Sequence, residues 1–454
     1  MPFFSTLQPK KNDLWLVPLG GCGEIGMNMN LYGHDGQWLM VDCGISFQRR
    51  DGAPPSTPND VYAADPSFIS QQRDRLAGIV ITHAHEDHVG GLPYLWPRLR
   101  APIYTTSFTA EVLRRKLSKA QLLEQVEIIE VDLNGSRQIG AFQVDWVGLT
   151  HSLPEAQGLV ITTAAGKVFH TGDWKLDKHP VVGPTYSDKR LKQLAKEHIR
   201  AMVCDSTNAC ISGWSRSESE LYAGLKKAIG GAAGRVVAAC FGSNIARLHT
   251  LANIAKDTQR NFGTLGRSLN NMVSIARQTG YWPDTLPVVQ SHHLGYLPRN
   301  KVLVAATGSQ GEGRTALARL AADDHFDMDL ERGDTVIFSS RVIPGNEAAV
   351  VALINRLRAK GVTVIDADVD SLPIHASGHP HEEELRSMYN WVQPEVVIPV
   401  HGEAKHMEAN AEIAKGCAVP KQLLGNNGDI FVIAPKARVR TQAVNSGQIC
   451  VSRE

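Results

Sequence analysis

The apolar positions of this chain fall into short blocks whose spacing changes along its length. Residues 14–19, 29–33 and 37–41 read as strands, as do 102–106, 126–131 and 142–149. Residues 158–163 are placed to pair with 167–171, and 201–204 and 395–400 complete this set. Residues 107–117 carry helical spacing, with Ser107 as the expected cap. Residues 49–66, rich in Pro, Asp and Gly, read as a surface loop. From about 209 to 370 strand and helix alternate: 235–241 before 244–256 and 268–279, 301–307 before 315–321, 334–339 before 346–360. That alternation predicts an α/β unit with a mainly parallel sheet. Helices at 382–391 and 404–415 flank the last buried strand, and 444–454 reads as a strand or the start of a linker.

One strand end stands out. The apolar run 78–82 leads into His83-Ala84-His85-Glu86-Asp87-His88, four potential metal ligands closed off by glycines. A strand cannot aim all four at one point, because alternate side chains face opposite ways. A tight loop leaving the strand can, with His83 and His85 on one ion and Asp87 and His88 on a neighbour. Imidazole and carboxylate suit zinc, with manganese or iron as alternatives. A solvated His-rich turn is the plain alternative, and four ligands at this spacing outweigh it.

The pattern returns at other strand ends: Thr150-His151-Ser152, Gly172-Asp173, Asp205 and His401-Gly402-Glu403. One such residue is ordinarily turn chemistry. Several together point to a site where loops converge. Asp42, ending 37–41, reads equally as support behind a ligand or as a turn residue. The glycines of 20–26 precede another strand, not a helix, so they fail the dinucleotide pattern and fit backbone passing close to a metal floor. Ligand spacing is absent inside 209–370 and resumes at His375. The chain therefore reads as 1–208 and 371–454 forming one domain, with 209–370 inserted.

Composition narrows the class. A net charge of +1 over 454 residues argues against a basic coat, so nucleic-acid contact must come from a local groove. Seven scattered cysteines with no CxxC pair imply reduced thiols, and no long apolar run implies membrane attachment. A cytoplasmic protein is expected.

These motifs together resemble the metallo-β-lactamase superfamily and, within it, the β-CASP nucleases, most closely the ribonuclease J family, from residue 19 to about 433. The superfamily's HxHxDH is similar to His83 through His88, and its strand-end aspartate, isolated histidine and bridging aspartate to Asp42, His151 and Asp173. The β-CASP acidic motif resembles Asp205-Ser206-Thr207-Asn208-Ala209. The phosphate-binding histidine resembles His379 in His375-Ala376-Ser377-Gly378-His379, and the last metal histidine His401. The inserted part carries the similar stretches Gly308-Ser309-Gln310-Gly311-Glu312 and Phe338-Ser339-Ser340-Arg341.

The resemblance implies an αββα sandwich with an inserted α/β (β-CASP) domain. It implies two divalent metal ions, zinc first and manganese second: His83, His85 and His151 on one, Asp87, His88 and His401 on the other, Asp173 between them. It implies a ribonuclease in which those ions activate water, acting 5′→3′ as an exonuclease, with endonuclease cuts open, on single-stranded RNA bearing a 5′-monophosphate. Asp87, Asp173, Asp205 and His379 are the expected catalytic residues. Ser243, Asn244, Gly308, Ser309, Ser377, Gly378 and His379 are the expected phosphate contacts. Arg247, Arg267 and Arg341 read equally as groove cations or solvated charges. Gly313-Arg314 departs from the family's Pro-Met. Members of the family commonly carry a small C-terminal domain after a linker, and this chain stops where that linker would begin, which leaves a homodimer open. The rival readings are a DNA-processing β-CASP nuclease and a non-catalytic RNA- or protein-binding paralogue. A small-molecule esterase or lactonase is disfavoured by the long insertion.

Overall fold

The computed structural model describes residues 7–48, 60–343, 345–366 and 372–451. Two sheets lie face to face. The first has eight strands in the order Arg438–Arg440, Ile430–Ala434, Leu14–Gly20, Met29–His34, Gln37–Val41, Leu76–Val80, Ile103–Thr105, Ile128–Glu130. The second has seven: Lys421–Gln422, Val396–Val400, Ile199–Asp205, Gly166–His170, Gln157–Thr163, Phe142–Gly148, Ser136–Ile139. Strand alternation sorts the first strand's side chains between two cores. Leu14 and Leu16 meet Val144, Leu159, Ile161 and Val203 between the sheets. Trp15 and Val17 face outward onto Leu95, Trp96 and Leu113 of helices Leu92–Leu99 and Ser107–Lys119. On the far side Phe169, Met202 and Val397 pack against Leu385, Met388 and Ile413 of helices Glu382–Val392 and Ala404–Gly416. Burial on both faces is why central strands such as Leu14–Gly20 and Val396–Val400 are apolar throughout. The result is the expected αββα sandwich.

The chain leaves the second sheet at Asp205 and returns as Val396–Val400, the parallel neighbour that sets Val400 opposite Asp205. Between them stands a five-stranded sheet, Asn261–Leu265, Val302–Ala306, Val236–Ala239, Thr335–Phe338, Thr363–Asp366, parallel at every pairing. Helices cover both of its faces. Among the described residues no helix is long and apolar enough to cross a membrane.

Three local expectations are corrected. Asp60–Ala64, placed in the surface loop, is a strand between Ile45–Gln48 and Gln448–Cys450; residues 49–59 of that loop lie outside the described residues. Ser107 is the first helical residue and not the cap. Its hydroxyl donates to Glu155, and Glu155 also accepts the Phe108 N–H, so a distant carboxylate caps this helix. Arg247 is neither groove cation nor solvated charge. It is fully buried, with Nε 2.6 Å from Glu218 Oε1 and its guanidinium donating to Ser339 and to the Ile374 carbonyl, tying together both crossings into the inserted domain.

Candidate active site

Parallel neighbours end on the same side of a sheet, and that places the site. Val41 pairs with Val80, so Asp42 lies beside residues 81–82 at the mouth of the His cluster. In the second sheet Gly166–His170, Ile199–Asp205 and Val396–Val400 are adjacent, which brings Asp173, Asp205 and His401 together. Asp42 and His401 both hold left-handed backbones, φ 63° and 52°, a strain of about 1–3 kcal/mol each that surrounding contacts sustain. Close approach explains two glycines. A side chain at Gly44 would strike the Asp87 carbonyl, and one at Gly378 would enter the His151 ring.

The five clustered histidines share one arrangement. Each engages one ring nitrogen with an outer partner and turns the other inward. His83 Nδ1 meets Thr82 Oγ1 at 3.0 Å, and His85 Nε2 meets Ser152 Oγ at 3.2 Å. His88 Nδ1 donates to Asp42 Oδ2 at 2.8 Å, and His151 Nδ1 to the Gly378 carbonyl at 2.6 Å. His401 Nδ1 meets Thr207 Oγ1 at 3.0 Å.

The inner nitrogens converge in two groups. His85 Nδ1 lies 3.1 Å from His83 Nε2 and 3.0 Å from His151 Nε2, with Asp173 Oδ2 3.7 and 3.9 Å from the latter two. In the second group Asp87 Oδ2 is 3.5 Å from His88 Nε2 and 3.1 Å from His401 Nε2, and Asp173 Oδ2 is 3.1 Å from His88 Nε2. Two donors on a tetrahedral zinc at about 2.0–2.1 Å stand about 3.3 Å apart, so both groups fit a divalent cation of that size. Among the described residues the metal-capable clusters are these two and a third, Asp173, Asp205, His379 and His401, which shares Asp173 and His401 with the second.

Electrostatics divides the histidines. Burial drives His83 and His151 well below the usual range and His85 to about 4, leaving neutral imidazoles suited to be ligands. Burial opposes charge on His88 and His401 as well, but the carboxylates win: Asp173 and Asp87 raise His88, and Asp173 with Asp205 raises His401 to about 10. Burial likewise works against the charge on Asp173, but His401, His88 and His379 hold its carboxyl well below the usual range. Asp205 Oδ2 accepts from His379 Nδ1 at 2.8 Å; burial lowers the His379 pKa, while Asp205 and Asp173 outweigh it and favour the cation.

The expected phosphate contacts separate in space. Ser377, Gly378 and His379 border the histidines, Ser377 Oγ accepting from Asn208 Nδ2 at 2.7 Å. Gly308 and Ser309 instead line a cavity of about 780 Å³ at the carboxyl ends of the inserted sheet, with Arg267, Arg314, Arg319, Glu312 and Asp327. Asn244 is buried and spends its side-chain oxygen capping its own helix at the Arg247 N–H, 2.8 Å away. Ser243 is the half-buried residue before it.

Sequence reasoning missed the outer partners. Thr82, Ser152 and Thr207 stand one or two residues from ligand or acidic positions, a signal that was there to read. Asn28, whose Nδ2 lies 3.1 Å from both His88 Nε2 and the Asp87 carbonyl, carries no such signal. Neither does Glu384, fully buried, which accepts from Leu176 N, Ser215 N, Ser215 Oγ and His381 N at 2.8–2.9 Å.

The chain is 42% identical over 428 residues to a Ribonuclease J of Sinorhizobium meliloti, covering 93% of this chain and 75% of that protein. It belongs to the ribonuclease J family. It is accordingly a metal-dependent nuclease. A Ribonuclease J of Mycolicibacterium smegmatis is 36% identical over 96% of this chain and 78% of its own length. One from Helicobacter pylori is 33% identical over the whole chain, which spans 65% of that relative. Family patterns match in three parts: the metallo-beta-lactamase superfamily at residues 23–187, the Ribonuclease J beta-CASP domain at 233–357, and a Zn-dependent metallo-hydrolase RNA specificity domain at 369–420. A protein of unknown function from Enterococcus faecalis V583 shares the fold, with TM-score 0.61 at 16% identity over 92% of this chain and 100% of that one.

Proposed function

We propose that this chain hydrolyses phosphodiester bonds of single-stranded RNA bearing a 5′-monophosphate, releasing nucleotides 5′→3′, with internal cleavage as a second activity. The observation that carries the reading is the inward convergence of five imidazoles and two carboxylates in two adjoining groups. His83, His85 and His151 would hold one divalent cation and Asp87, His88 and His401 a second, with Asp173 between them. Zinc is favoured by the nitrogen-rich set, and manganese is the alternative. Bound there, the pair supplies Lewis acidity toward phosphate and lowers the pKa of an attacking water, to about 7 for zinc.

The chain's own groups do the rest. Asp42, Ser152, the Gly378 carbonyl and the two threonines hold each ring so that its other nitrogen faces the centre. His379, tethered at Nδ1 by Asp205, would present Nε2–H to the leaving 3′ oxygen, and Asp205 and Asp173, which raise its pKa against the effect of burial, favour the protonated ring. Ser377 Oγ and the Gly378 N–H would meet the scissile phosphate. The cavity lined by Gly308, Ser309 and three arginines lies at the carboxyl edge of a parallel sheet, where such folds take ligands, and suits the 5′-terminal nucleotide. Seven free cysteines support the reducing cytoplasm as its compartment.

The test pairs purified protein and zinc or manganese with matched RNA and DNA oligomers carrying a 5′-monophosphate or a 5′-hydroxyl. Mononucleotides from monophosphorylated RNA, absent with Asp173→Ala, support the reading. Equal digestion of DNA favours the DNA-processing alternative. Binding without cleavage overturns catalysis.

A further inference from the structure

Two aspartates at opposite sides of the centre hold their neighbours in the same way. Asp42 accepts the Thr82 N–H at 2.8 Å and its hydroxyl at 2.9 Å, that hydroxyl stands 3.0 Å from His83 Nδ1, and the other contact of Asp42 is His88 Nδ1. Asp205 accepts the Thr207 N–H at 2.9 Å and its hydroxyl at 2.7 Å, that hydroxyl stands 3.0 Å from His401 Nδ1, and the other contact of Asp205 is His379 Nδ1. A hydroxyl has one proton to give. Given to a carboxylate, it leaves oxygen lone pairs that accept from an imidazole N–H. Both threonines thereby dictate Nδ1–H on a histidine and leave Nε2 as the nitrogen directed at the centre.

The Thr207 contact matters more than its counterpart, for a geometric reason. His401 Nδ1 also lies 3.3 Å from Asp173 Oδ1 and 3.5 Å from Asp205 Oδ1, and Nε2 lies 3.1 Å from Asp87 Oδ2. Carboxylates thus surround both nitrogens, and without the hydroxyl nothing on Nδ1 distinguishes an inward-facing ring from a flipped one. We propose that Thr207 is a positioning residue that selects the His401 tautomer and ring orientation, so that Nε2 completes the Asp87–His88–His401 cation site. This rests on the two-cation reading above. Thr207 at the same time fixes Asp205 Oδ1, which keeps Oδ2 on His379.

The experiment is equilibrium dialysis of the full chain against zinc with a competing chelator, followed by metal analysis, for wild type, Thr207→Val and Thr207→Ser. Thr207→Ala serves if the valine variant does not fold. Wild type binds two ions. Loss of the hydroxyl weakens the second ion about 10–100-fold, the range for outer partners of metal-bound histidine, and leaves the first unchanged. Thr207→Ser restores the second, which a packing role for the methyl group does not predict. A folded valine or alanine variant that holds both ions as tightly as wild type overturns the inference and leaves the two-cation reading standing. Wild type binding fewer than two ions overturns both.

Discussion

Glu384→Gln isolates what a buried carboxylate contributes to the walls of this site. Its two oxygens each accept two donors: Leu176 N and Ser215 Oγ on Oε1, Ser215 N and His381 N on Oε2. Those donors come from three separate stretches: the loop after Asp173, the crossing into the inserted domain, and the residue two beyond His379. An amide keeps one acceptor oxygen and turns an NH₂ toward two donors. With the nitrogen at Oε2 two N–H donors lose their acceptor, but at Oε1 the Ser215 hydroxyl can turn and accept, so the preferred orientation forfeits one charge-assisted bond, worth about 1.5–3 kcal/mol. For a chain of 454 residues unfolding with about 2.1 cal/mol/K per residue, that is a fall in Tm of about 2–3 °C. Scanning calorimetry reads the shift, and a metal-saturated hydrolysis assay reads kcat, which should fall because the loops of Asp173 and His379 lose their common anchor. A Glu384→Gln protein melting within about 1 °C of wild type with unchanged kcat would refute the argument.

Other consequences follow from the same contacts. Asp42→Asn suits the left-handed backbone but puts a donor where Thr82 and His88 need an acceptor; metal affinity should drop about 10–100-fold, read by chelator competition, and an unchanged affinity contradicts this role. Burial opposes charge on Asp177, yet Lys175 Nζ at 3.2 Å and three hydrogen bonds depress its pKa below 3.8. A folded pKa below the unfolded one stabilises in full above about pH 4 and is lost as pH falls through the folded value. Wild type should therefore out-melt Asp177→Asn at pH 6, with the gap closing toward pH 3; a gap constant with pH counts against the pairing. Tyr281→Phe removes the hydroxyl that the inserted domain gives to Glu155 at 2.9 Å, four residues after His151. It should cost about 1.5–3 kcal/mol in denaturant unfolding, and no change would show the bond carries no load.

The architecture was legible because its signals are local. The short apolar run at residues 14–19 marked a strand buried on both faces, and alternating strand and helix beyond residue 209 announced a parallel sheet. The ligand positions were legible because strand ends in neighbouring strands must share an edge. What escaped is whatever depends on distant pairing. Glu155 caps a helix that begins 48 residues earlier, so Ser107 took the credit from proximity. Arg247 looks like any helix-surface cation until the fold sets Glu218 against it. Residues 60–64 pair with 448–450 across nearly the whole chain, a contact no window of sequence contains.

Anomalous diffraction from crystals grown with zinc reaches the central claim directly. Two peaks are predicted, one ringed by His83 Nε2, His85 Nδ1 and His151 Nε2, the other by Asp87, His88 Nε2 and His401 Nε2, with Asp173 touching both. A single peak, or peaks away from these nitrogens, would contradict it.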